Sequence, residues 1–197
     1  METNSIYGDH LPEMKKVMND IMSRVGDARK AMSERLGMDP VEHCLCRIKS
    51  EESMREKCRR RGLPETTESA LTKIYDSIGI RIVCAFIDDV YAMVDYLKKF
   101  DDVCVAEEKD YIKRAKKNGY RSYHMILKTA SGYYVEIQLR TISMDTWAAL
   151  EHHLKYKKDI KENQDLIADE LKRCADELAS TDLSMQIIRN MIMGDLT

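Results

Sequence analysis

The sequence predicts an α+β domain, a small mixed β-sheet with helices on its faces and a long helix at each end. Three observations predict it. Apolar residues recur at alternating three-four spacing from Leu11 to Met32 and again from Ile167 to Ile192, the seam of a long helix at either end. Between them, short β-branched runs with period-two alternation are separated by short helical patterns and turn residues. The 197 residues suit one domain (1–197), divided into an N-terminal helix (11–38), a core (40–160) and a C-terminal helix (162–193).

The first helix carries Leu11, Met14, Met18, Ile21, Val25, Ala28 and Met32 on one stripe. Ser50–Arg61 reads as a short basic helix, stopped by Gly62 and Pro64. Ile80–Phe86 is β-branched and apolar, a buried strand. Asp88 is placed to cap a helix over 89–99 whose buried face is Val90, Met93, Val94 and Leu97. Val103–Val105 starts a second strand. Asn118-Gly119 lies in a polar loop that leads to a strand over Ser122–Lys128. Ser131-Gly132 then turns the chain into a strand over Tyr133–Arg140, closing a hairpin. Ser143 is placed to cap a helix bearing Met144, Trp147, Leu150 and Leu154. The last helix repeats the seam through Leu171, Cys174, Leu178, Met185, Ile188 and Ile192, broken at Thr181. Each terminal stripe packs either on the domain's own core or against another subunit.

Composition narrows the class. With 44% hydrophobic and 34% charged residues the chain can bury one sizeable core. Its apolar runs fall far short of the ~20 residues of a membrane helix, so no membrane is expected as a partner. The start, Met-Glu-Thr-Asn-Ser, lacks the features of a signal peptide, which predicts a cytoplasmic protein. The six cysteines include no Cys-x-x-Cys pair and read as reduced, structural thiols rather than a metal cluster beside His43. Net charge is −2, but Arg47 to Arg61 and Lys109 to Arg121 are locally basic. Two such segments on a mildly acidic background suit a local phosphate site, and nucleic acid is not the expected partner.

Three segments can carry chemistry. In Val135–Arg140, alternation puts Val135, Ile137 and Leu139 on one face and Glu136, Gln138 and Arg140 on the other. That second face is either solvated or the floor of a polar site with a carboxylate fixed on a rigid strand. Asp76 directly precedes Ser77-Ile78-Gly79, with Arg81 close behind. Carboxylates and arginines together are what a magnesium-nucleotide site requires, oxygen ligands for the metal and forked donors for phosphate. The loop Lys113–Tyr120 joins cations, a turn and an aromatic ring that can stack on a base.

In order along the chain stand Arg47-Ile48-Lys49-Ser50, Asp76 to Val83, Asn118-Gly119-Tyr120-Arg121-Ser122-Tyr123-His124 and Val135 to Thr141. This series resembles the synthetase domain of the RelA/SpoT family, and Met144–His152 resembles that of its stand-alone small alarmone synthetases. The resemblance covers about residues 40–160. It implies a nucleotidyltransferase-like mixed sheet and an ATP:GTP/GDP 3′-pyrophosphotransferase that makes (p)ppGpp and AMP with Mg2+. It further implies that Asp76 and Glu136 hold the metal and that Glu136 activates the acceptor 3′-hydroxyl. Arg47 and Arg81 resemble the pair flanking adenine, with Lys49, Ser50 and Lys57 on the ATP side. Tyr120 resembles the tyrosine that stacks on guanine, with Lys116, Asn118 and His124 as acceptor-loop positions. Gln138 and Arg140 are candidates on the phosphate side or behind it.

The resemblance also implies a homotetramer and synthesis without hydrolysis, since the family's paired His-Asp hydrolase motif has no counterpart here. Ala115 and Tyr123 depart from the family pattern at positions without proposed chemistry. Two other functions fit the same frame: a toxin of the family that pyrophosphorylates the tRNA 3′ end, and a catalytically dead nucleotide-binding or assembly module.

Overall fold

The computed structural model describes residues 5–155 and 163–194. The expected boundary between core and C-terminal helix, and the first four residues, lie outside the described residues. Strands β1 (Val41–Ile48), β2 (Ile78–Cys84), β3 (Val103–Asp110), β4 (Tyr123–Thr129) and β5 (Tyr134–Thr141) form one sheet in the order β1-β2-β5-β4-β3. β2 and β5 run parallel and every other neighbouring pair is antiparallel, which makes the sheet mixed, as the sequence predicts. Around it stand the helices α1 (Leu11–Leu36), α2 (Glu51–Arg60), α3 (Ile87–Leu97), α4 (Ile142–Lys155) and α5 (Gln164–Met193), with short 3-10 and π turns at Gly8–His10 and Ser69–Lys73. No helix among the described residues is long and apolar enough to cross a membrane.

Several elements differ from expectation. β1 has no clear sequence signal: it is an edge strand with a bulge near Val41, so its alternation is broken and half of it is exposed. β2 begins at Ile78 rather than Ile80, because Ile78 already pairs with Ile48 on one side and Val135 on the other. α3 is capped by Asp89, which reaches back to accept from the Phe86 amide at 3.2 Å, and not by Asp88. α4 is capped by Thr141, whose Oγ1 accepts from the Met144 amide at 3.2 Å, and not by Ser143. The Ser131-Gly132 turn forms as predicted, with Gly132 at φ +88°.

One sheet face is the core. Ile78, Ile80, Ile82, Met125, Leu127, Val135, Ile137 and Leu139 are all buried there, beneath α1 and α3. α1 contributes Met14, Val17, Ile21, Val25, Ala28 and Met32, so its stripe is used up by the domain's own core. Val17 is buried in that stripe, whereas Met18 is only partly buried against the same core. On α5 the outcome is opposite, since its buried residues are Ala175, Asp182 and Gln186 and the predicted seam lies to one side. Of the cysteines, all unpaired, Cys58 and Cys84 are core residues, whereas Cys46, Cys104 and Cys174 are exposed rather than structural.

Candidate active site

The other sheet face is polar, and strand register decides which residues meet on it. Arg47 stands opposite Gly79, Gly79 opposite Glu136, and Glu136 opposite Ile126. The adjacent row runs Leu45, Arg81, Gln138, His124 and Lys109 across all five strands. Because side chains alternate along each strand, both rows share one face. Glu136 and Gln138 therefore share it with Arg47, Arg81 and His124, and Gly79 puts no side chain between Arg47 and the carboxylate.

Asp76 joins from just ahead of β2, outside that strand's alternation. Lys49 Nζ lies 2.9 Å from its Oδ2. Lys57 Nζ contacts the same oxygen, projected from α2 by the buried anchors Met54 and Cys58. Ser50 serves that helix as its N-cap, its Oγ accepting from the Ser53 amide at 3.3 Å. The other carboxylate oxygen, Asp76 Oδ1, is buried without a hydrogen-bond partner in the protein. Leaving a buried acceptor unpaired costs about 1–3 kcal/mol, more if charged, so the atom's placement suits a cationic ligand.

Electrostatics keep both acids charged. Burial pushes the Asp76 carboxyl up, but the Lys57 and Lys49 ammonium groups outweigh it and hold it below the usual carboxylate range. Burial likewise pushes Glu136 up, and His124 and the Gln138 amide bring it below its ordinary value. Two ionised, desolvated carboxylates are hard oxygen donors of the kind Mg2+ takes. They form the shared wall of two open clefts of about 600 and 630 Å³. The first is lined by Leu45, Arg47, Lys49, Arg81 and Gln138. The second is lined by Lys57, Arg61, Tyr75, Lys109 and His124.

Beyond His124 lies the loop tyrosine. His124 Nδ1 is 3.6 Å from Glu136 Oε1, and its Nε2 is 2.8 Å from the Tyr120 hydroxyl. The Lys116 ammonium sits 4.9 Å from the Tyr120 ring centre and 4.5 Å from that of Tyr111. Asn118 shapes the loop, its Oδ1 accepting from the Tyr120 amide at 3.2 Å. Arg140 is placed differently from a phosphate ligand. It is only 5% exposed, and it donates to the Tyr120 hydroxyl at 2.8 Å, Gln138 Oε1 at 2.9 Å and Asp145 Oδ1 at 3.0 Å. It braces the tyrosine, because both terminal nitrogens of its guanidinium are taken by these partners, while its Nε is buried without one.

Sequence reasoning missed Asp145, which holds Arg140 and lies 3.3 Å from Arg81. It also missed Tyr111; Arg61 and Lys109 of the second cleft belong to the two basic segments that suit a phosphate site, but were not singled out within them. Asp145 lay within a motif segment, but nothing in helix periodicity marks it as turned toward two arginines.

Comparison with known proteins follows the same lines. A family model described as a region found in RelA / SpoT proteins matches residues 46–161. The chain is 44% identical over 149 residues to GTP pyrophosphokinase YwaC of Bacillus subtilis (strain 168), covering 71% of this chain and 70% of that one. It is 36% identical over 162 residues to GTP pyrophosphokinase YjbM of the same strain, covering 78% and 74%. Its fold is similar to the crystal structure of small alarmone synthetase 1 from Bacillus subtilis bound to its product pppGpp, with a TM-score of 0.78 at 31% identity, covering 93% of this chain and 95% of that one.

Proposed function

The chain belongs to the RelA/SpoT family, and from that premise we propose that it is a GTP pyrophosphokinase that transfers the β,γ-pyrophosphoryl group of ATP to the 3′-hydroxyl of GDP or GTP. The observation that carries the reading is the pair of ionised carboxylates, Asp76 and Glu136, standing between two clefts that each have their own cations. The relatives named GTP pyrophosphokinases and the product-bound fold neighbour support the same reaction.

In this reading Arg47 and Arg81 take the adenine of ATP in the first cleft, and Lys49 turns from Asp76 toward the phosphates. Lys57 serves the phosphates from the second cleft. Tyr120 takes the guanine, with Lys116, Asn118 and His124 around the acceptor. The acceptor 3′-oxygen attacks the β-phosphorus in line, the bond from that phosphorus to the α-phosphate oxygen breaks, and AMP leaves. Glu136 accepts the proton of the hydroxyl as its oxygen becomes an ester. Cations and positioning do most of the work, as in other phosphoryl transfers. Asp76 and Glu136 would hold Mg2+, which when bound offsets phosphate charge.

We further propose a cytoplasmic homotetramer without hydrolase activity, with α5 supplying subunit contacts. From Leu183 to Met193, α5 turns Gln186 and Arg189 toward its own domain and leaves Leu183, Ile187, Ile188, Met191 and Ile192 exposed in the single chain. A contiguous exposed apolar face of this kind marks an interaction surface, so a second copy covers it.

The test is incubation with γ-labelled ATP and, in turn, GMP, GDP, GTP or tRNA, followed by nucleotide separation. Label on a guanine nucleotide with release of AMP is the expected result, and Glu136→Gln abolishes it while the melting curve is retained. Label on tRNA alone, or near-normal turnover by the Glu136→Gln protein, overturns the assignment.

A further inference from the structure

The loop that carries Tyr120 is closed on itself by two backbone hydrogen bonds, Gly119 N to Lys116 O at 2.8 Å and Lys116 N to Tyr120 O at 3.1 Å. Its rear is pressed onto α5. Gly119 has φ +88°, and a Cβ placed there would lie 2.6 Å from the Ala175 Cβ and 3.2 Å from the Lys172 Cα. Real Cβ atoms do not approach so closely, so the loop backbone and the helix meet with no room for even one methyl group. Arg121 fastens the same point. Its Nη1 donates to the Gly119 carbonyl at 3.1 Å and to the Ala175 carbonyl at 3.4 Å, and its Nη2 to Asp176 Oδ1 at 2.9 Å. The wall is itself braced, because Trp147 Nε1 of α4 donates to the Leu171 carbonyl of α5 at 2.8 Å.

We infer that α5 is the backstop that sets the acceptor loop, with Ala175 and Asp176 as positioning residues for the guanine nucleotide. This rests on the reading of Tyr120 as the platform for the acceptor base. Neither residue lines either substrate cleft, so each acts through the loop. Tyr120 directly follows Gly119, and a turn pushed off the helix carries the ring with it. Small displacements of a positioning group are costly to catalysis even when the fold is intact. Asp176 is 46% exposed, where its pairs with Arg121 and Lys172 add little to stability, so its removal separates positioning from folding.

The experiment is steady-state kinetics on the full chain, varying acceptor and ATP separately, for Ala175→Leu, Asp176→Asn, Asp176→Glu and Tyr120→Ala. Ala175→Leu, which drives side-chain volume into Gly119, raises the acceptor KM by about tenfold or more and leaves the ATP KM unchanged. Asp176→Asn raises the acceptor KM a few-fold with Tm within about 2–4 °C of the parent, and Asp176→Glu restores it. If Ala175→Leu fails to fold, the Asp176 pair decides. An acceptor KM raised by Tyr120→Ala but untouched in both Ala175→Leu and Asp176→Asn overturns this inference alone. An acceptor KM indifferent to Tyr120→Ala overturns the platform reading and this inference with it. Equal losses for both substrates in Asp176→Asn, not restored by Asp176→Glu, would make α5 a merely structural support.

Discussion

The two long helices carry the same kind of apolar stripe and reach opposite ends. α1 lies across the apolar sheet face, and its Met14, Ile21 and Met32 are at most 1% exposed. α5 turns small and polar residues inward, while Ile188 and Ile192 of its predicted seam are 46% and 77% exposed. The difference lies in what each helix meets. A sheet face offers only side chains to be covered. A pair of helix starts offers unpaired amides and hydroxyls. Asp182 accepts from the Thr141 hydroxyl at 2.5 Å, Gln186 accepts from the Asp88 amide at 3.2 Å, and Arg189 donates to Asp89 at 2.8 Å. A heptad seam announces a helix with something to bury, but the partner decides which side is buried.

The sharpest way to break this comparison is a charge in each stripe. Ile21→Asp places an unpaired carboxylate in a full core and should cost more than about 4 kcal/mol, enough to leave the chain unfolded by circular dichroism. A folded, soluble Ile21→Asp protein would show that α1 is not the core helix described here. Next in size is Arg189→Ala, which strips the buried Asp89 of its cation. Breaking a pair this enclosed should cost about 3 kcal/mol, read as a loss of Tm.

The outer face of α5 should behave differently. Leu183→Asp with Ile187→Asp should change the subunit's own stability by no more than about 1 kcal/mol, yet lower the particle mass in light scattering. A monomeric wild type refutes the tetramer. A mass unchanged by both substitutions puts the interface elsewhere.

The smallest effect is a pH dependence. Burial raises the Asp182 carboxyl above its ordinary value, with the Thr141 and Ser143 hydrogen bonds opposing. Folding therefore favours its protonated form. Its contribution is full below the unfolded value of about 4 and is lost as pH rises through the folded one. Asp182→Asn should flatten that slope and leave stability at pH 7 equal or up to about 1 kcal/mol higher. A variant with the parent's slope between pH 4 and 7 would assign the dependence to other groups.

By itself the sequence determined the α+β class, the helix over α1, the buried face of α3, the hairpin of β4 and β5, and the side of β5 shared by Glu136 and Gln138. These are local consequences of period two, period 3.6 and turn chemistry, so neighbours in the chain are enough to read them. Residue chemistry singled out Asp76, Arg81 and Tyr120, and ordered motifs resembling a known family added Arg47 and gave each a role, but no spacing could bring them together. Only the tertiary structure did that, through the parallel pairing of β2 with β5 that sets Gly79 beside Glu136 and Arg81 beside Gln138. It also decided that β1 is an edge strand, that Arg140 braces the Tyr120 hydroxyl, and that α5 buries Ala175 against Gly119. Each of these depends on a surface assembled from segments far apart in sequence, and the register and orientation of such a surface are set by packing that no single segment encodes.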